Sequence, residues 1–146
     1  MITIEHPKGK VQIHTQEGIG IHLIGFEKEC LIEDCLLRVC TALNSMDVQI
    51  PCKKIIIKVE SDEYKNPYTY DLPIAIGLYL LSKGFSGTIP FLSFQGELSM
   101  DGKAYNFKHE SPVSIHKFGE GEGASFKDII RFFVKPYISN QNERND

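Results

Sequence analysis

Apolar and polar residues alternate three times before residue 25. Ile2 and Ile4 alternate with polar neighbours; Val11, Ile13 and Thr15 do so after Pro7-Lys8-Gly9; Ile19, Ile21 and Leu23 do so after Glu17-Gly18. A period of two places successive side chains on opposite faces, so the pattern predicts three short strands joined by turns. The period then lengthens. From Glu27 to Met46, apolar residues fall at Leu31, Ile32, Cys35, Leu36, Val39, Ala42, Leu43 and Met46, which is helical spacing with one buried stripe. Acids gather in its first two turns, where the helix dipole favours them, and the helix ends before Pro51. Lys54–Glu60 is short and β-branched and reads as a central strand.

Ser61 to Tyr70 reads as a polar loop, after which Asp71 serves as an N-cap and Pro73 sits in the first turn of a helix. That helix, Leu72 to Lys83, is apolar almost all round and is therefore expected to be deeply buried, with Gly84 as a left-handed C-cap. Phe91–Met100 and Lys103–Phe107 read as a hairpin around Asp101-Gly102, a type I′ signal. Lys108–Ser125 is polar, Phe126–Val134 reads as a last short helix, and Ser139–Asp146 as a disordered tail and a natural end. Two apolar helices and one sheet predict an α+β fold: a two-layer sandwich in the order β-β-β-α-β-α then β-hairpin, with both helices on one face. Residues 1–138 form one expected domain.

Composition narrows the partners. The 146 residues are 42% hydrophobic and 24% charged, with a net charge of −3. A domain that grips phosphates usually carries a basic excess, so direct nucleic-acid binding gains no support. No apolar run has the length of a membrane span and the N-terminus has no secretory h-region, which predicts a cytoplasmic protein. The cysteines are Cys30, Cys35, Cys40 and Cys52. Steps of five along a helix point the first three in different directions, so reduced thiols are expected rather than a shared metal or a disulfide framework.

Two constellations stand out. His14 and His22 fall on successive predicted strands and would face each other if those strands paired, although no ligand spacing enforces a metal there. The Ser61–Tyr70 loop carries Tyr64, Lys65, Tyr68 and Tyr70. Tyrosines on a loop held by a rigid scaffold suit a partner-binding surface; equally, these rings would cap the sheet edge and the core.

From Gly18 to Gly102 the chain resembles the Lon-protease-like domain, of ribosomal protein S5 domain 2-like fold, found in the magnesium-chelatase-related (ComM-type) ATPases. Gly25-Phe26 precedes a helix containing Arg38-Val39-Cys40-Thr41-Ala42-Leu43, similar to an R-V-x-A-A-L helix. Pro51 and Lys53-Lys54-Ile55 match a P-x-(K/R)-(K/R)-I lead-in to the central strand. Lys65 to Gly77 matches K-x-G-x-x-(F/Y)-D-L-P-I-A-L-G, and Gly96 to Gly102 matches G-E-L-S-L-D-G. Pro67 stands where the family has Gly, and residues 108–138 no longer follow its pattern.

The resemblance implies a module that packs into rings beside an ATPase motor, so a homo-oligomer or docking onto a ring ATPase is the expected partnership. The motor itself is not implied: no G-x-x-x-x-G-K-(S/T) occurs in these residues, and Gly119–Gly123, with its glutamates, reads as an acidic loop. No cofactor is expected. In true Lon proteases a serine in D-G-P-S-A-G is activated by a lysine. The matching stretch here is Asp71-Leu72-Pro73-Ile74-Ala75, so Ile74 stands in the serine's place. Lys108 and Lys117 have no serine partner, and Ser82, Ser86, Ser111 and Ser114 read as surface or turn residues. The expected function is therefore a non-catalytic interaction and assembly domain. The alternatives are a Lon-like hydrolase with a relocated dyad and an accessory domain in DNA processing.

Overall fold

A computed structural model of the chain describes residues 1–6, 9–26, 29–61, 67–89, 95–108, 124–136 and 138. Among the described residues five strands make the main sheet: β1 (Ile2–His6), β2 (Gly9–Gln16), β3 (Ile21–Ile24), β4 (Lys54–Ser61) and β5 (Gly87–Ile89), in the order β3-β4-β2-β1-β5. The alternation read from sequence sets its faces. Ile2, Ile4, Val11, Ile13, Leu23, Ile55, Ile57 and Val59 point inward and are buried, while Lys10, Lys58 and Glu60 form ion pairs on the other face.

The neighbours differ from a simple meander. β1 and β2 pair antiparallel, but β3 pairs in parallel with β4, on the far side of which lies β2. A strand, a helix and a strand in succession favour such a parallel crossover. β3 and β4 are joined by α1 (Glu29–Ser45), which buries Cys35, Val39, Ala42 and Leu43. It closes with the amide N–H of Val48 donating to Leu43 and that of Asp47 to Asn44, the bond pair of a Schellman cap, with Asp47 in the left-handed region at φ 58°.

The second helix, α2 (Pro67–Ser82), begins a turn earlier than the N-cap reading places it. Pro67 occupies its first position, where a missing N–H costs nothing, and Asp71 lies inside the helix rather than at its cap. Its C-terminus behaves as read: Phe85 and Gly84 donate to Leu80 and Leu81, with Gly84 at φ +75°.

The fold is α+β with a mixed five-stranded sheet, and beside it stands a second sheet that the one-sheet expectation did not include. β6 (Gln95–Leu98), β7 (Lys103–Lys108) and β8 (Ala124–Ser125) pair in that order, and β5 and β8 are strands the sequence pattern did not signal. α2 packs on β1 and β2 of one sheet and on β6 of the other, and Tyr79 meets Phe126 edge to face. Enclosure on opposite sides explains why α2 is apolar all round: Leu72, Ile74, Ala75, Ile76, Leu78 and Leu80 are all fully buried. Gly77 lets the helix sit directly on the first sheet, because a Cβ there would come within 2.3 Å of the Ile13 Cδ1 atom.

The hairpin turn is not type I′. Ser99 and Lys103 face each other across three residues, the Gly102 N–H donates to Ser99 O, and only Gly102 has positive φ, at +86°. This is a type I turn closed by a left-handed glycine. Asp101 keeps an ordinary backbone and uses its carboxylate to accept from the Ser99 hydroxyl and the Lys103 N–H. The turn is pinned on its far side by the Phe126 N–H, which donates to Gly102 O at 2.9 Å. Phe126 opens the last helix, α3 (Phe126–Ile129), which continues as a π-helical stretch, Ile130–Val134, ahead of Pro136. Phe126, Ile129, Ile130 and Val134 are buried. Among the described residues no helix is long and apolar enough to cross a membrane. The polar segment 109–123 and the tail 139–146 lie outside the described residues.

Candidate functional site

Residues three apart on a helix share a face, and α1 presents Cys35 and Arg38 on the face turned towards α2. There they meet Asp71, whose side chain is wholly buried. The Arg38 Nε donates to one carboxylate oxygen of Asp71 at 2.8 Å and its Nη2 to the other at 3.0 Å; the Cys35 thiol adds a donor to the second oxygen at 3.1 Å. Arg38 is the more accessible partner, its side chain 23% exposed. A planar fork facing a carboxylate gives two parallel charge-assisted bonds, the strongest side-chain pairing available without a metal. Beside the cluster, Phe26 and Tyr70 contact edge to face with centroids 6.0 Å apart.

The chemistry of this cluster is restrictive. Burial, reinforced by the Asp71 charge, pushes the Cys35 thiol well above its ordinary value of 9.0. It therefore remains a protonated donor and not a nucleophile. Both Asp71 oxygens accept hydrogen bonds within the cluster. The arrangement binds α1 to α2 and has the character of a structural clamp. Burial also raises the Cys40 thiol, while Cys52 is exposed, and all three of these cysteines are free.

The other sequence candidates separate. His14 and His22 are exposed, and each stands in register with Ile56 of β4, which lies between their strands. Two interstrand spacings put their backbones about 10 Å apart, so they are not direct cross-strand neighbours. Among the described residues no group of three or more His, Cys, Asp or Glu side chains is placed to hold a metal. Of the tyrosine-rich segment, Tyr64 and Lys65 lie outside the described residues, and Tyr68 is placed by its backbone in the first turn of α2. Tyr70 is 3% exposed and belongs to the core. Ile74 is fully buried in α2. Ser82 donates to the Tyr79 carbonyl at 2.6 Å and Ser86 lies beside Met1; Ser111 and Ser114 lie outside the described residues.

Sequence reasoning missed the clamp. It took Arg38 and Asp71 as parts of two separate motifs, 33 residues apart, and gave Asp71 a local capping role. The available signal was a lone arginine one turn from a cysteine on the buried-face side of α1. A protein-family model described as subunit ChlI of Mg-chelatase matches residues 11–123, a stretch that begins inside β2 and includes β3, α1, β4, α2, β5 and the whole clamp. No curated protein matches the chain at a significant level.

Proposed function

The chain belongs to the family of subunit ChlI of Mg-chelatase, and from that premise we propose that it is a non-catalytic interaction and assembly module. In this reading it is related to the Lon-protease-like domain of ComM-type ATPases and shares their ribosomal protein S5 domain 2-like fold. Its work is to associate with further copies or to dock onto a ring ATPase.

The observation that carries the reading is Ile74. The resemblance aligns it with the serine of a Lon-type dyad, yet its side chain has no nucleophilic atom and is sealed inside α2. The buried charges nearby support the same view. Asp71, Arg38 and Cys35 satisfy one another, whereas a catalytic dyad needs a group left ready to exchange a proton. The matched segment also contains no Walker-type phosphate loop.

Two measurements test it. Incubation with unstructured peptide substrates is expected to release no fragments above a buffer control; cleavage that survives repurification would restore the relocated-dyad hydrolase. Absolute mass by light scattering during size-exclusion chromatography, alone and with a ring ATPase of the family, is expected to exceed the single-chain or single-partner mass. A single chain in both settings would remove the assembly reading.

A further inference from the structure

β3 is the outermost strand of the main sheet, and among the described residues no strand pairs with its far side. The Ile55 N–H donates to Gly20 O. In a parallel ladder that phase recurs at every second residue, so His22 and Ile24 turn their backbone groups towards β4 while Ile21 and Leu23 turn theirs towards the open edge. Open edges are ordinarily guarded by charged side chains or proline. This one has no such guard: residues 18–26 include no Asp, Glu, Lys, Arg or Pro, and Ile19 and Ile24 are 83% and 48% exposed.

The helix layer over that edge is apolar as well. α2 packs on β1 and β2 and α1 on β3, so the side of α1 turned away from α2 lies at the open edge. Arg38 marks the side of α1 that faces α2. Leu36 and Cys40 stand two residues before and after it, each roughly 160° away around the helix, and both are half-buried. One flank of the molecule thus offers an unpaired strand in the sheet layer and an apolar helix side in the layer above. An occupant that meets both must present an extended backbone with a helix beside it at the same height. That is the arrangement this flank itself has.

We propose that a second copy of this chain pairs there, β3 against β3, about a two-fold axis. The free edge groups set the register. Ile21 of each copy pairs with Leu23 of the other and exchanges both backbone bonds with it, and His22 faces its own counterpart on the axis. Ile24 then falls opposite Gly20 of the second copy, which has no side chain to obstruct it. The two main sheets run on as one, and the two α1 helices lie side by side on the same face with Leu36 and Cys40 between them. Both copies use the same patch, so the contact is isologous and closes at two chains. Backbone pairing fixes the register, and burial of the isoleucines, Leu36 and Cys40 supplies the attraction. This inference rests on the assembly reading and gives it one surface.

The test uses the full chain and exposed positions, with circular dichroism confirming that each variant folds. His22→Lys sets like charges directly opposite each other on the axis. His14→Lys makes the same change on β2, away from the edge, as the control. Light scattering is expected to show wild type and His14→Lys at the two-chain mass and His22→Lys at the single-chain mass. His22→Cys, made together with Cys52→Ser to remove the exposed native thiol, brings two thiols onto the axis, where facing Cα atoms are roughly 4.5 Å apart. Oxidised glutathione is expected to lock this variant into a two-chain species on a non-reducing gel. Absence of that cross-link would overturn the register. A wild-type oligomer that His22→Lys leaves intact would overturn this surface while the assembly reading stands. A wild-type mass above two chains would overturn the closed two-fold contact. Wild type at the single-chain mass at every concentration would overturn self-pairing, and docking onto a ring ATPase would then be decided by its own measurement.

Discussion

Arg38 and Asp71, 33 residues apart in the chain, meet in a two-point ion pair that joins α1 to α2, with the Asp71 side chain withdrawn entirely from solvent. Removing one partner strands the other charge. Arg38→Ala is expected to cost about 3 kcal/mol, and Asp71→Ala a similar amount, because an uncompensated buried charge is more expensive than the pair is favourable. The double variant Arg38→Met/Asp71→Leu, which replaces the pair by apolar bulk, is expected to recover most of that loss. Urea unfolding midpoints of the four proteins check this comparison.

Cys35 predicts an alkaline limb of stability. Its folded-state pKa lies above the ordinary 9.0 because of burial first and the Asp71 charge second. The unfolded chain therefore releases this proton at lower pH than the folded chain, so stability contributed by the thiol is complete below about pH 9 and falls as pH rises beyond it. Cys35→Ala is expected to flatten that slope relative to wild type between pH 8.5 and 10.5, values set by the ordinary cysteine range. Thermal unfolding at stepped pH reads the difference. In the folded protein, Cys52 is expected to react with a thiol reagent well before Cys35.

Gly77 separates helix propensity from packing. On propensity alone, Gly→Ala inside a helix stabilises by up to about 1 kcal/mol. Here the new methyl would press on Ile13 Cδ1 at 2.3 Å, with Ile4 behind it. Gly77→Ala is expected to destabilise by about 1–3 kcal/mol, as overpacked cores do. Pairing it with Ile13→Val, which withdraws the obstructing atom, should restore part of the loss in the same denaturant assay.

Asp47 closes α1 with φ 58°, a conformation that favours glycine. Its amide already makes the cap bond to Asn44, and that bond uses no side-chain atom. Asp47→Gly is expected to raise stability by roughly 0.5–1 kcal/mol. A melting temperature unchanged or lowered would mean that the carboxylate makes a contribution of its own.

Ile74 is fully buried in the helix that both sheets enclose. Ile74→Ala is expected to cost about 2–5 kcal/mol, the range for deleting a large aliphatic side chain from a core. Ile74→Val, which removes one methylene, should cost about 1 kcal/mol on the same scale.

The features legible in sequence were those written locally. The alternation of Val11 with Ile13 identified a strand, and the short β-branched run Lys54–Glu60 identified another. The stripe through Cys35, Val39 and Leu43 identified α1, and Gly84 marked where α2 stops. Pairing partners were less visible, because alternation says which face is apolar but not which strand lies alongside. Thus β3 lies beside β4, and His14 and His22 do not face each other. β5 is three residues long and is recognised only through its pairing with β1, Ile4 opposite Ile89. The all-round apolar character of α2 announced burial, but not the second sheet that produces it. Asp71 followed the same rule: its local chemistry fits a cap, and only the approach of α1 supplies the arginine that defines its role.

The enclosure of α2 also imposes an order on how the chain is made. Its inner side rests on strands already synthesised, but its outer side waits for β6 and for Phe126, more than 40 residues beyond the helix end. During translation, a nascent chain that has released α2 but not Phe126 carries a long apolar surface facing water. Such surfaces are where nascent chains stick to one another or to chaperones. A premature stop between Ser82 and Phe126 would leave that condition permanent, so truncated products from this region are expected to aggregate even though their first four strands and both long helices are complete.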